Sequence, residues 1–373
     1  MDEQTFIPGT MRALYHCPAS TARDLDLPRV DSEIVFDSDF PTPKPAPNQY
    51  LIKVQTAAFS HDELRLVREL NPSKSIPHIP LHNFCGTVIG TPSEDLYKPD
   101  GPKFKVSDVV FGLINHIRDG AAADYVVASE DEIALKPKNI SAAEAATIPL
   151  PALTAWQALF MYSHLDPTNA DDPRRGLRVL VTNAHSNQIG THMVQFLRSP
   201  SLFPYYRPWV CATCSGTAQE YLRTEALVDE VIDAPLPVSQ EFDLPSLFRQ
   251  NRWDPVDIVL DCAGMQTFKQ AHSPEVVKDY GAVLTAVDSS PVHGHTPEEN
   301  AQCQKRGLLS RFIAVQPDGK ALGRIAMLVE ENSVRGRVET ITDFVNGADV
   351  LESGAACAGG GRRGGMMVFR VNI

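Results

Sequence analysis

The sequence predicts an α/β protein of two domains, one β-rich and one a doubly wound parallel sheet. Three observations carry this. At 373 residues the chain is too long for a single ordinary core. Its first 150 residues hold short, β-branched apolar runs separated by proline-rich turns. From residue 151 strands alternate with helices, each strand nearly all apolar, as in a parallel sheet covered on both faces.

In the first part, 50-YLIKVQTAAF-59, 85-CGTVIG-90, 108-DVVFGLI-114 and 124-DYVVAS-129 read as strands. Clusters such as PKPAPN and PSEDLYKPDGPK separate them, which suggests a mainly antiparallel, barrel-like β domain. Ser141 followed by Glu144 has capping-box spacing, so a short helix is expected there, ending near Pro149. A second helix is expected from about Pro151 to Phe160. The alternation then begins with strand 178–182, helix 189–198, strand 209–214, helix 217–226 and strand 230–234. After a further helix come strand 256–263, a helix from about 266 and strand 282–287. This places a Rossmann-type domain at 151–315, between residues 1–150 and 316–373. The last part offers strand 311–315, helix 320–331, strand 337–341, a short helix and 366-MMVFRVN-372, which is expected to rejoin the β domain. The glycine-rich, basic segment 354-GAACAGGGRRGG-365 reads as a mobile surface loop or an anion-binding nest.

Hydrophobic residues make up 43% and charged residues 21%, as in an ordinary globular protein. A net charge of −12 argues against a sequence-independent nucleic-acid binder. No apolar run approaches membrane-spanning length, so no membrane partner is expected. The acidic, polar start MDEQTFIPGTMRALYH does not look like a secretory signal, and a cytoplasmic location is expected. Seven scattered cysteines do not form a disulfide framework. The pair 211-CATC-214 lies within a strand pattern and reads as small buried residues rather than a zinc or redox motif.

The stretch 179-VLVTNAHSNQIGTHMVQFL-197 has the strand–turn–helix form that holds a phosphate on a helix N-terminus. Such turns are normally rich in glycine, which lets the backbone approach the phosphate. Here Ala184, His185, Ser186, Asn187, Gln188 and Ile189 precede a single Gly190. Ser, Asn and Gln can instead hydrogen-bond a phosphate, and Asn tolerates left-handed geometry. The imidazole of His185 could contact phosphate, or fill the place where phosphate used to go. After strand 209–214 the chain reads Ser215 and then no acid until Glu220. An NAD enzyme usually places an acid there for the ribose 2′-hydroxyl, so NADPH is favoured. Ser215, Tyr221 or Arg223 could help hold its 2′-phosphate, or Ser215 could simply cap the following helix.

Local phrases resemble the medium-chain dehydrogenase/reductase superfamily, in its zinc-independent, quinone-oxidoreductase-like branch. IPLPALTAWQALF resembles that branch's linker helix. The stretch 60-SHDELRLVRE-69 resembles NHxDLxxxxG, and 80-PLHNFCGTV-88 resembles PGxDFAGxV, with Asn83 in the Asp position. GAAADYVVASEDEIALKPKNIS, VDIVLDCAG and VDEVIDA also match family phrases across nearly the whole chain. The pattern CATCSG with the proline-rich start looks most like fungal trans-acting enoyl reductases, which partner polyketide synthases.

The resemblance implies a GroES-like β domain, an inserted Rossmann domain and hydride transfer to the β-carbon of an enone or enoyl thioester. It implies that Thr154 lies near the nicotinamide and that Ser60, His61 and Asn83 come from loops facing the cleft. His61 has a suitable pKa range for proton transfer, and equally suits a packing or capping role. Zinc alcohol dehydrogenases of the superfamily use a Cys, a His-Glu pair and another Cys or Asp. Here Ser60 and 82-HN-83 stand at those regions, so no metal is expected. Loops 201–209 and 288–302 are expected to shape the pocket. The first functional expectation is an NADPH-dependent enoyl reductase acting on a small-molecule or carrier-bound polyketide, with a polyketide synthase as partner. The second is a reductase-derived fold that performs a redox-neutral cyclisation or isomerisation. The third is a non-catalytic synthase partner.

Overall fold

The computed structural model describes residues 7–18, 32–60, 78–93, 101–166, 176–287, 296–356 and 364–372. The chain divides into two compact units. Unit 1 comprises Met1–Leu150, Gln316–Glu330 and Gly336–Ile373, and unit 2 comprises Pro151–Val315 and Glu331–Arg335.

Unit 1 is built on β3 (Tyr50–Phe59), whose inner residues are almost all buried. That burial follows from its position, because three strands pair with it. They are β4 (Asn83–Gly90), β6 (Tyr125–Ala128) and the C-terminal β15 (Met366–Arg370), all antiparallel. The last segment thus joins the β-rich sheet. The sheet continues through β5 (Val109–Leu113) and β7 (Ile133–Leu135) on one side, and β14 (Val338–Asp343) beyond β15 on the other. Two further strands, β1 (Thr10–Pro18) and β2 (Ser32–Pro41), pair antiparallel with each other. Sequence patterning missed β1, β2 and β7. The β1–β2 register is interrupted between Met11 and Ala13, and β7 has only three residues. Neither offers a clean period-2 signal.

Arg12 ties β1 into this unit. Its Nε and Nη2 donate to Asp124, with Nη2 2.7 Å from Oδ1, and Nη2 also donates to the Val371 carbonyl at 2.9 Å. The Asp124 hydrogen bonds raise the Arg12 pKa above its ordinary value. Helix α1 (Ala142–Ala146) carries the expected capping box. Ser141 Oγ accepts from Glu144 N, and the Glu144 carboxylate accepts from Ser141 N.

Helix α2 (Pro149–Gln157) begins two residues before the expected start and runs into a π turn at Ala158–Tyr162. A proline at the first helical position costs nothing, because that N–H has no intrahelical partner. Unit 2 then alternates β8 (Arg178–Val181), α3 (Gln188–Arg198), β9 (Trp209–Cys214), α4 (Gln219–Thr224) and β10 (Glu230–Asp233). It continues with α5 (Leu244–Asn251), β11 (Val256–Asp261), α6 (Met265–Ala271), β12 (Val277–Thr285), α7 (Pro297–Lys305) and β13 (Leu309–Phe312). All six strands are parallel, in the order β10-β9-β8-β11-β12-β13. Counted from β8, that is 3-2-1-4-5-6, the order of a doubly wound dinucleotide fold, with its switch point between β8 and β11. Strand β12 begins five residues earlier than expected. Its first residues, 277-VKDYG, are half polar, and Tyr280 has φ 60°. Cys211 and Cys214 lie inside β9 and are buried, and burial pushes the Cys214 thiol up to about 11. Helices α8 (Gly319–Glu330) and α9 (Gly347–Ala356) lead back to the last strands of unit 1. Most of the glycine-rich segment 354–365 lies outside the described residues.

Arg12→Ala leaves the largely buried Asp124 carboxylate without its guanidinium. Urea denaturation is expected to show a loss of about 1–2 kcal/mol, less at high salt.

Candidate functional site

In open parallel sheets ligands bind beyond the carboxyl ends of the strands, at the switch point. Here the end of β8 leads through Thr182–Asn187 into α3. Asn183 takes φ 50°, which asparagine tolerates. Its N–H donates to Thr213 Oγ1 at 2.9 Å, and its side-chain Nδ2 donates to the Cys262 carbonyl at 3.2 Å. Ala184 N donates to the Thr213 carbonyl. The turn is therefore stitched to the strands on both sides of β8.

Gly190 is required where it stands. A Cβ there would lie 2.9 Å from Ala184 Cα and 3.2 Å from the Asn183 carbonyl oxygen. The glycine lets α3 pack tightly against its own turn, the role of the last glycine in a dinucleotide fingerprint. The Cys262 thiol is buried, and burial raises its pKa well above the ordinary value. The remaining glycine positions are filled by side chains with definite tasks. Asn187 caps α3 by accepting from Ile189 N at 2.8 Å. The half-buried His185 ring packs edge-on against Tyr221, with centroids 5.1 Å apart. Ser186 and Ile189 are half-buried. Gln188 is buried, and neither end of its amide hydrogen-bonds a described residue. A polar ligand at the helix N-terminus would satisfy such a group. The turn thus fits a dinucleotide at Gly190 and Gln188, with a narrower approach than a glycine-rich loop allows.

The turn rests on a residue that the sequence reading did not single out. Asp261 ends β11 and is fully buried. Its carboxylate accepts from Thr182 and Thr267 at 2.8 Å, from Gly264 N at 2.9 Å and from Thr285 at 3.2 Å. These donors come from the ends of β8 and β12 and from the start of α6. Burial raises its pKa above the ordinary 3.8, while the threonine and backbone donors pull it back. The signal was an apolar strand whose last residue is an acid, 256-VDIVLD-261.

The end of β9 differs from the sequence expectation in one respect. Ser215, Gly216, Tyr221 and Arg223 follow it, with no acid before Glu220. Yet Asp233, the last residue of β10, pairs in register with Cys214. A Cβ on Gly216 would lie 3.7 Å and 3.8 Å from its two carboxylate oxygens. The sheet supplies an acid that the sequence after β9 lacks.

In unit 1 the structure brings Ser60 and Asn83 together. Asn83 is fully buried. Its Oδ1 accepts from Leu150 N at 2.7 Å, and its Nδ2 donates to Ser60 Oγ at 2.8 Å. The Leu150 N–H can only donate, so it fixes which way the Asn83 amide points. Ser60 is thereby an acceptor toward Asn83, and its own proton is directed elsewhere. Thr154, on α2, is buried. His61 lies outside the described residues, as does most of loop 288–302.

Behind Asn83, three buried imidazoles stack. His78 and His82 have centroids 5.5 Å apart, and His82 and His116 4.6 Å apart. His82 Nε2 contacts the Arg118 carbonyl at 3.1 Å, and His78 Nδ1 lies 3.2 Å from Asp119. Residue spacing along the chain carries no hint of this column. Among the described residues no three His, Cys, Asp or Glu side chains are arranged to hold a metal ion. At the zinc region of alcohol dehydrogenases Asn83 presents an N–H to Ser60, and His82 is engaged with a carbonyl. This donor set does not fit zinc.

No protein-family model matches the chain. It is 30% identical over 319 residues to an Arthroderma benhamiae protein named "Probable zinc-binding oxidoreductase, mitochondrial", covering 83% of this chain and 88% of that one. It is 32% identical to human mitochondrial NAD(P)H oxidoreductase RTN4IP1, over 65% of this chain and 60% of the relative. Among solved structures, an alcohol dehydrogenase superfamily protein from Novosphingobium aromaticivorans superposes with TM-score 0.73 at 18% identity, covering 97% of this chain and 100% of that one. The CurK enoyl reductase superposes with TM-score 0.71 at 16% identity, covering 97% and 100%. Both structural likenesses bear on the fold. Among the described residues no helix is long and apolar enough to cross a membrane.

Asp261→Asn puts a donor where Gly264 N–H needs an acceptor, and is expected to cost about 1–3 kcal/mol. The wild-type carboxyl has a raised folded pKa, so the folded state holds an extra proton above the unfolded value. Its contribution is complete below about pH 4 and declines as pH rises through the folded pKa. The stability gap between wild type and Asp261→Asn should therefore narrow from pH 4 upward, as read by paired urea melts.

Proposed function

Because the chain belongs to the medium-chain dehydrogenase/reductase superfamily, among its quinone-oxidoreductase-like members, we propose that this nicotinamide-dependent oxidoreductase reduces activated carbon–carbon double bonds. The observation that carries the cofactor half is Gly190, packed 2.9 Å from the turn it follows, at the start of a helix on the switch point of a 3-2-1-4-5-6 sheet. When bound, the dinucleotide supplies a hydride to the β-carbon of an enone or enoyl thioester. NADPH is supported by the residues that follow β9, Ser215, Tyr221 and the exposed Arg223 on α4, with no acid among them before Glu220.

The chain's own residues handle orientation and developing charge. Gln188 offers a buried amide at the helix start, and Asn187 and Thr191 lock the turn, with Thr191 Oγ1 donating to the Ala184 carbonyl at 3.1 Å. Asn83 Nδ2 donates to Ser60 Oγ, so the Ser60 hydroxyl proton points away from Asn83. A hydroxyl held in that sense suits an enolate oxygen, whose negative charge grows as the β-carbon is reduced. The proposed catalytic residues are Ser60, His61, Asn83 and Thr154.

The proposed substrate is a polyketide-type enone or enoyl thioester, free or carrier-bound, with a polyketide synthase as the partner for the carrier-bound case. The support is the CATCSG phrase and the likeness to fungal trans-acting enoyl reductases. A second reading, a redox-neutral cyclisation or isomerisation on the same fold, is favoured by one observation. Asn187 already caps the Ile189 N–H, a donor that a phosphate would otherwise take.

Titration with NADPH, followed by its fluorescence, separates the two. Micromolar binding and oxidation of NADPH by an enone or enoyl thioester are expected. Turnover of a polyketide in cofactor-free buffer, with no dinucleotide binding, would establish the redox-neutral reading instead. In the reductase, Ser60→Ala is expected to lower kcat about 10- to 100-fold with little change in dinucleotide affinity.

A further inference from the structure

The end of β9 carries two opposite charges with no assigned task. The Asp233 carboxylate lies against Gly216, and the Arg223 guanidinium is exposed on α4. Neither makes a hydrogen bond or ion pair with a described residue. Burial is the main cause of the raised Cys214 pKa, with Asp233 adding to it and Arg223 opposing it. Asp233 pairs in register with Cys214, the last residue of β9, and Arg223 lies on α4, the helix that follows this second strand of a doubly wound sheet. Ala234 N donates to the Cys214 carbonyl at 2.8 Å, so the ladder runs unbroken to this edge and fixes the Asp233 backbone. Gly216 has no side chain to cover the carboxylate.

We infer that Asp233 and Arg223 together read the ribose 2′ position of the bound dinucleotide, and that Asp233 restrains the preference for NADPH that Arg223 creates. This rests on the proposed nicotinamide-dependent reading. A 2′-hydroxyl donates to a carboxylate, which is the task of the acid at this place in NAD-binding folds. A 2′-phosphate, carrying close to two negative charges, is repelled by the same carboxylate and attracted by a guanidinium. In most such folds the acid follows the second strand directly. Here it arrives from the neighbouring strand through parallel register, over a glycine. With both charges present the site accepts either dinucleotide.

Dissociation constants for NADH and NADPH, measured by cofactor fluorescence on the full chain, test this. Both residues are exposed, so the variants are expected to fold, and unchanged melting temperatures would verify it. Wild type is expected to bind the two within about fivefold of each other. Asp233→Asn should tighten NADPH about tenfold and weaken NADH by about threefold or less. Arg223→Gln should weaken NADPH about tenfold and leave NADH nearly unchanged. If wild type binds dinucleotide but neither variant moves the NADPH/NADH ratio by more than about twofold, the assignment of these two residues is overturned while the reductase reading stands. If neither dinucleotide binds wild type or variants, the reductase reading fails and this inference fails with it.

Discussion

A single buried carboxylate holds the functional edge of unit 2 together. Asp261 has no exposure to solvent, so each of its lone pairs must be met from within the protein. Thr182, Thr267, Thr285 and Gly264 N–H meet them, and these groups end β8, begin α6 and end β12. The carboxylate thereby fixes the relative heights of three parallel strands where the chain turns toward a ligand. Thr182 also donates none of its remaining capacity to solvent, since its oxygen accepts from Cys262 N at 2.9 Å. Cys262 in turn accepts from Asn183 Nδ2 through its carbonyl. The cofactor turn is held by this chain of bonds rather than by glycine geometry.

That arrangement explains how a glycine-poor turn keeps its shape. A glycine-rich loop relies on backbone freedom to approach a phosphate. Here Asn183 adopts the left-handed backbone, Asn187 caps the helix, and Thr191 bonds back to Ala184. Only Gly190 remains, because at that point backbone meets backbone and no side chain fits. The cost is a more crowded phosphate approach, and the gain is a turn that is ordered before anything binds.

Unit 1 uses the same logic on a smaller scale. Asn83 is an amide with two different ends, and one backbone N–H from Leu150 decides which end faces Ser60. A rigid donor thus sets the direction of a hydroxyl through a buried side chain. The stacked His78, His82 and His116 precede and neighbour this strand, so buried imidazoles lie within an otherwise apolar core that includes Leu81, Phe84 and Ile114.

The sequence by itself determined the elements whose signals are local. The capping box at Ser141 and Glu144, the apolar strands of unit 2 and the strand–turn–helix around Gly190 follow from patterns only a few residues long. The zinc-unfriendly residues Ser60, His82 and Asn83 were likewise legible as residue types. What only the tertiary structure decided are the relations between distant segments. Asp233 lies beside Gly216 because two strands run parallel in register, and no spacing along the chain encodes that. Asp261 gathers threonines spread over about a hundred residues, and the histidine column joins the stretch 78–82 before β4 to His116 in the turn after β5. The physical reason is common to all three. Hydrogen bonds and charges act over a few ångströms in space, and sequence patterns report only neighbours along the backbone.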